Sequence, residues 1–237
     1  MAAKESGSCV CNQTRAQFRE DCRLLPLLLA ATPPTGGRFV ELGALDGLGG
    51  SNTYALEKCL QWKGLLIEAN PESFAKIRTS GRTAAREHSA VCSGHGYVNI
   101  TKHGHVFAGM PEAMAESYIR MWGRRIPERK TVVEVPCRSL TSLMRDNGLP
   151  EAEFLSLDVQ GAEEIVLRAA DPSMFKVIMV ELDGLDKAKD RRVHTLLLDS
   201  GFLEAEKQFH VPYSRVYVAK RVAELTSALR LARKTTN

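Results

Sequence analysis

The sequence predicts an α/β fold, a mostly parallel sheet with helices on both faces. Short apolar runs alternate with amphipathic ones from about residue 38 to residue 200. The first two runs end on acids, Glu41 and Glu68, and glycines crowd the turn after the first. The chain then closes on "GFLEAEKQF" and "SRVYVAK", which read as an antiparallel pair at the sheet edge.

Each element follows from its pattern. A first helix is expected after an Asn12 or Thr14 cap, with Phe18, Cys22, Leu25 and Leu29 on one face, and "TPPTGG" at 32–37 stops it. Strands are expected at 38–42, 64–68, 84–91, 153–158 and 175–182, and helices at 51–61, 71–79, 139–147, 161–170 and 186–200. "GYVNI" and "TVVEVPC" read as further strands flanking an irregular insertion at about 101–130. The organisation is therefore an N-terminal helical segment at 1–37, one domain at 38–220 and a basic tail or helix at 221–237.

Composition narrows the function. Net charge is +4, and between Ala219 and Asn237 five basic residues against one acid account for all of it. The body is near neutral, which argues against a nucleic-acid partner. The longest apolar run, Leu24 to Ala31, contains Pro26 and is too short to span a bilayer. The six cysteines form no C-x-x-C pair. Cys59, Cys92 and Cys137 sit among apolar residues and read as buried thiols, while "CVC" at Cys9 and Cys11 allows a metal or a disulfide. A cytoplasmic protein is expected, with the soluble part of an anchored or lumenal protein as the alternative. Oligomeric state is not legible.

In an open parallel sheet a ligand binds beyond the carboxyl ends of the strands, where Glu41 and Glu68 stand. Gly43, Gly47, Gly49 and Gly50 allow a tight turn, and Ser51 is placed to cap the next helix. An acid at the end of the second strand commonly binds the two hydroxyls of a ribose. From Gly43 the G-x-G-x-x-G fingerprint fails at Leu45 and Leu48, and Asp46 would repel a pyrophosphate. S-adenosylmethionine, with its ribose and its amino-acid and sulfonium end, suits this turn better than a dinucleotide.

Five stretches, "FVELGALDGLGGSNT", "GLLIEANPESF", "VPCRSL", "FLSLDVQGAEEIVL" and "IMVEL", occur in this order over roughly 38 to 185. Together they resemble the FkbM-type S-adenosylmethionine-dependent methyltransferases. The resemblance implies a class I methyltransferase (Rossmann-like) fold, with seven strands and the last antiparallel. It implies that the loop of Glu41, Gly43 and Asp46 holds the methionine end of the cofactor and that Ser51, Asn52 and Thr53, the "SNT" that follows, are cofactor-binding. Glu68 matches the ribose acid, Ala90 in "SAV" the adenine strand, and Asp158 the acid of the family's "DVEGAE". This chain departs from that last motif with Gln160 where an acid is common.

Methyl transfer to a hydroxyl needs alignment and a base, or a metal. Asp158 is the candidate base, Glu181 assists, and His103 in the insertion is a further candidate. Asp158 and Glu181 are also the pair that would hold a divalent cation. The cluster Arg120, Arg124, Arg125, Arg129 and Lys130 offers an anion site on the acceptor side. The expected reaction is O-methylation of a sugar or other small-molecule or glycan acceptor, the oxygen preference being implied by the resemblance. A silent S-adenosylmethionine-binding protein, an N-methyltransferase and an NAD-dependent oxidoreductase are the alternatives.

Overall fold

The computed structural model describes residues 2–32, 36–101, 107–122, 132–209 and 211–223. Two helices, α1 (Ala2–Gln13) and α2 (Glu20–Ala31), come first. The helix expected after Asn12 or Thr14 starts only at Glu20, and a helix that was not expected, α1, precedes it, the two separated by residues 14–19. Local side chains satisfy the backbone of the gap: Thr14 Oγ1 accepts from the Ala16 amide, and the Glu20 carboxylate accepts from the Phe18 amide. Thr14 also donates its hydroxyl to Asp21 rather than capping a helix.

The strands and helices that follow are β1 (Arg38–Leu42), α3 (Tyr54–Leu60), β2 (Lys63–Glu68), α4 (Pro71–Ile77), β3 (Ala85–His88), β4 (Ala90–Val91), β5 (Gly96–Thr101), α5 (Glu116–Trp122), β6 (Val132–Arg138), α6 (Leu140–Asp146), β7 (Ala152–Leu157), α7 (Glu163–Arg168), β8 (Phe175–Glu181), α8 (Lys187–Asp199), β9 (Phe202–Glu204) and β10 (Ser214–Ala219). Seven strands form one sheet in the order β3-β2-β1-β7-β8-β10-β9, and only β10 runs against the rest. The sheet turns back on itself between β1 and β7, a switch point at whose carboxyl side ligands bind.

The central strand β7 is buried along its whole length, as a parallel strand covered on both faces must be. Phe39, Leu65, Phe154, Phe175 and Ile178 fill the core around it. The strand expected at 84–91 is two strands in two sheets. Ser89 makes the break, its amide donating to the Glu68 carbonyl and its hydroxyl to the Pro136 carbonyl. Beyond it, β4, β6 and β5 form a separate three-stranded sheet carrying both flanks of the insertion.

All six cysteines are paired, Cys9 with Cys59, Cys11 with Cys22 and Cys92 with Cys137, so Cys59, Cys92 and Cys137 are not the free thiols expected. Sequence spacing does not reveal these partners, because packing of α1 on α3 and of β4 on β6 brings them together.

Candidate active site

The turn after β1 is stitched to both neighbouring strands. The Gly43 and Ala44 amides donate to the Ile67 carbonyl at 3.0 and 3.1 Å, and the Asp158 amide donates to the Leu42 carbonyl at 3.1 Å. Gly43 has φ +79°, and a Cβ there would lie 1.8 Å from the Asp158 carbonyl oxygen. Only glycine lets the two strand ends approach so closely.

Glu41 does not project from the strand tip. It is 4% exposed and turned under the loop. Its carboxylate accepts from the Ser51 hydroxyl (2.8 Å), the Asn52 amide (2.8 Å) and the Thr53 hydroxyl (2.5 Å). Arg82 completes the network and is the main residue that sequence reasoning missed. Its guanidinium donates to Glu57, the Gly47 carbonyl, Ser51 and Thr53 at 2.7–3.1 Å while only 3% exposed. A single arginine in the short connection before β3 carries no pattern that marks it. Asp46 is likewise engaged inside the turn, accepting from the Leu48 and Gly49 amides at 2.8 and 2.7 Å.

Glu68 closes the turn from the other side. Its two oxygens accept from the Leu45 and Asn70 amides, each at 2.7 Å. Burial pushes its carboxyl up to about 7, the two amides oppose the rise, and the charge of Asp158 adds to it. Leu45 reaches Glu68 only by taking a left-handed conformation, φ 51°, unusual for a residue with a side chain. Asn70 caps α4 through the Glu72 and Ser73 amides. Beyond Glu68, His88 stacks on Phe74 with ring centroids 5.1 Å apart, and the 6%-exposed Ala90 opens the small sheet.

Asp158 and Glu181 meet on the rim of β7 and β8, joined by Gln160. The Gln160 amide nitrogen donates to Asp158 at 2.7 Å and to Glu181 at 3.3 Å. Among the described residues no group of three or more His, Cys, Asp or Glu could hold a metal. Asp158 retains an exposed surface, yet crowding by protein and the charge of Glu163 raise its carboxyl. The same crowding, then the charge of Asp158, pushes Glu181 up to about 10. The two carboxyls share one amide nitrogen, and both are raised above the ordinary carboxylate range. Glu163 is compensated, accepting from Lys189 Nζ at 2.6 Å.

The insertion helix α5 covers this rim. Tyr118 donates its hydroxyl to the Gln160 side-chain oxygen, Ser117 donates to the Leu185 carbonyl, and the Ala113 carbonyl sits where a Cβ on Gly161 would be. Between α5 and the acids is a cavity of about 10 Å³ lined by Tyr118, Gln160, Glu181, Asp183 and Lys189. Arg120 of the basic cluster pairs with Glu116 at the surface. His103 and the cluster's remaining members, Arg124, Arg125, Arg129 and Lys130, lie outside the described residues, as do residues 224–237 of the expected tail.

The methyltransferase FkbM domain model matches residues 41–205. No curated protein matches. Among solved structures, the chain is similar to an FkbM methyltransferase from Methylobacillus flagellatus, with TM-score 0.46, 10% identity and coverage of 90% of this chain but 58% of that one. It is also similar to precorrin-6y C5,15-methyltransferase from Geobacter metallireducens (TM-score 0.43, 13% identity, 84% and 85% of the two chains). A third is an O-methyltransferase from Bacillus cereus in complex with SAH (TM-score 0.44, 12% identity, 92% and 90%). The family model spans the glycine turn and the ends of β7 and β8, and the seven strands run in the order β3-β2-β1-β7-β8-β10-β9; the chain belongs to the FkbM methyltransferase family and has the class I methyltransferase fold.

Proposed function

We propose that this protein transfers a methyl group from S-adenosylmethionine to a hydroxyl of a sugar, glycan or other small molecule. The observation that carries the reading is the closeness of two strand-end acids, Glu68 and Asp158, on either side of a Gly43 turn with no room for a side chain. The residues fit the cofactor. Glu68 ends the second strand, as an acid that binds a ribose diol would, and the buried side-chain oxygen of Asn52, which has no hydrogen-bond partner among the described residues, suits an ammonium donor. Glu41, Ser51 and Thr53 hold the loop in shape, while Asp46 occupies the amides a pyrophosphate would need, which disfavours a dinucleotide.

The cofactor supplies a methyl carbon activated by positively charged sulfur. The chain supplies a base and a wall. Asp158 accepts the proton of the acceptor hydroxyl, Glu181 stays protonated beside it, and Gln160 fixes the distance between them. One observation favours a second reading, an amine acceptor. Asp183 adds acidity around the pair, and such a site attracts a cation.

Thermal melts with S-adenosylhomocysteine, S-adenosylmethionine and NAD test the cofactor. At ~100 times the dissociation constant a ligand adds about 2.7 kcal/mol, a shift of roughly 5–10 °C. The adenosyl ligands are expected to shift the melt and NAD is not; a shift with NAD alone overturns the reading.

The six paired cysteines favour an oxidising compartment, and with it the anchored or lumenal alternative to a cytoplasmic protein. Intact mass of the protein from its native source, alkylated without reduction, is expected to show no modified cysteine. Alkylation of all six would restore the cytoplasmic reading.

A further inference from the structure

Residues 14–19 lie outside the stretch that matches the family, yet they run against the loop at its heart. Ala16 bridges Gly50 as a parallel β-partner. The Arg15 guanidinium lies 5.4 Å from the ring centroid of Tyr54. Tyr54 is the first residue of α3, and its amide donates to the Ser51 hydroxyl at 3.1 Å. At the far end Phe18 packs on Tyr213, with ring centroids 5.7 Å apart. The segment is a strap from the β1 turn to the β10 side of the sheet. Cys11–Cys22 closes across it, and Cys9–Cys59 pins the helix before it to α3.

Charge gives the strap a task. The turn and its neighbours carry Glu41, Asp46, Glu68 and Asp158, an acidic setting for a ligand that itself bears a carboxylate. Two arginines face the loop. Arg82, from beneath, has its donors engaged by Glu57, Gly47, Ser51 and Thr53. Arg15, exposed on the outer side, lies over an aromatic ring and not on a carboxylate among the described residues. A guanidinium on a ring keeps its N–H edge available for a planar, two-point contact with a carboxylate.

We propose that Arg15 receives the carboxylate of the cofactor's amino-acid end and that the disulfide-pinned strap carries it to the loop. The proposal rests on the S-adenosylmethionine reading above. It assigns a cofactor contact to a segment that the family motifs do not contain.

Titration calorimetry tests it with two probes. S-adenosylhomocysteine has the amino-acid end; 5′-methylthioadenosine shares its adenosine and sulfur and lacks that end. Arg15→Ala is expected to weaken S-adenosylhomocysteine about tenfold, the scale of one charge-assisted contact, and to leave 5′-methylthioadenosine unchanged. Arg15→Lys should recover part of the loss. Reduced wild type should follow Arg15→Ala, because the strap is then unpinned. Unchanged S-adenosylhomocysteine affinity in Arg15→Ala overturns the proposal. So does an equal loss for both probes, which would make the strap a wall only. Wild type that binds neither probe removes the cofactor reading, and Arg15's role with it.

Discussion

Asp158, Gln160 and Glu181 show how a few ångströms assign roles to chemically similar groups. Both acids end parallel strands, and both touch the same amide nitrogen. Glu181 is pushed up to about 10 by crowding and by its neighbour's charge. In the proposed reaction Asp158 takes the proton of the acceptor. Asp158→Asn keeps the shape and removes the base, so turnover is expected to fall roughly 10²–10⁴-fold. Affinity for S-adenosylhomocysteine should be little changed. Steady-state kinetics beside a binding isotherm separates the two, and near-normal turnover would take the base away from Asp158. Gln160, in a position where the family commonly has an acid, links this pair to Tyr118 on the covering helix.

At the scale of elements, the loop after β1 is defined by what lies beneath it. Strand β1 delivers Glu41 to the underside of the turn, where it ties the start of α3 with Arg82. The resemblance placed Glu41 beside the ligand; the structure turns its carboxylate to the protein. Gly43 is the hinge of this element. Gly43→Ala would drive a methyl into the Asp158 carbonyl oxygen at 1.8 Å, against backbone that cannot yield cheaply. Expected results are a cost on the order of 3 kcal/mol in urea unfolding and loss of S-adenosylhomocysteine binding. A variant that binds normally would show the turn to be far softer than its geometry.

At the scale of the molecule, the burial of Glu68 makes stability depend on pH. Its carboxyl rises from 4.5 to about 7 on folding. Between those values the folded chain holds a proton that the unfolded chain has lost. The contribution of Glu68 is therefore fully present below 4.5, fades as pH rises through about 7 and is level above it. Glu68→Gln should abolish that component, on the order of 3 kcal/mol across the window. Urea midpoints of both proteins from pH 4.5 to 8 measure it, and parallel curves would mean that Glu68 stays ionised throughout.

Most of the sheet was legible because periodicity is local. Strands β1, β2, β7 and β8, their helices and the antiparallel closing pair fall where the apolar runs place them, within a residue or two at most ends. The glycine turn and both rim acids were legible for the same reason, since each sits at the end of its own run. Arg82, Gln160's bond to Tyr118, the break at Ser89 and the three disulfides were not. Each joins residues far apart in the chain. The sequence by itself determined the order of the elements and which acids end the strands, because hydrophobic period and turn chemistry act over a few residues. Only the tertiary structure decided which carboxylates turn into the protein, and which thiols meet, because burial and partnership are settled when distant elements pack.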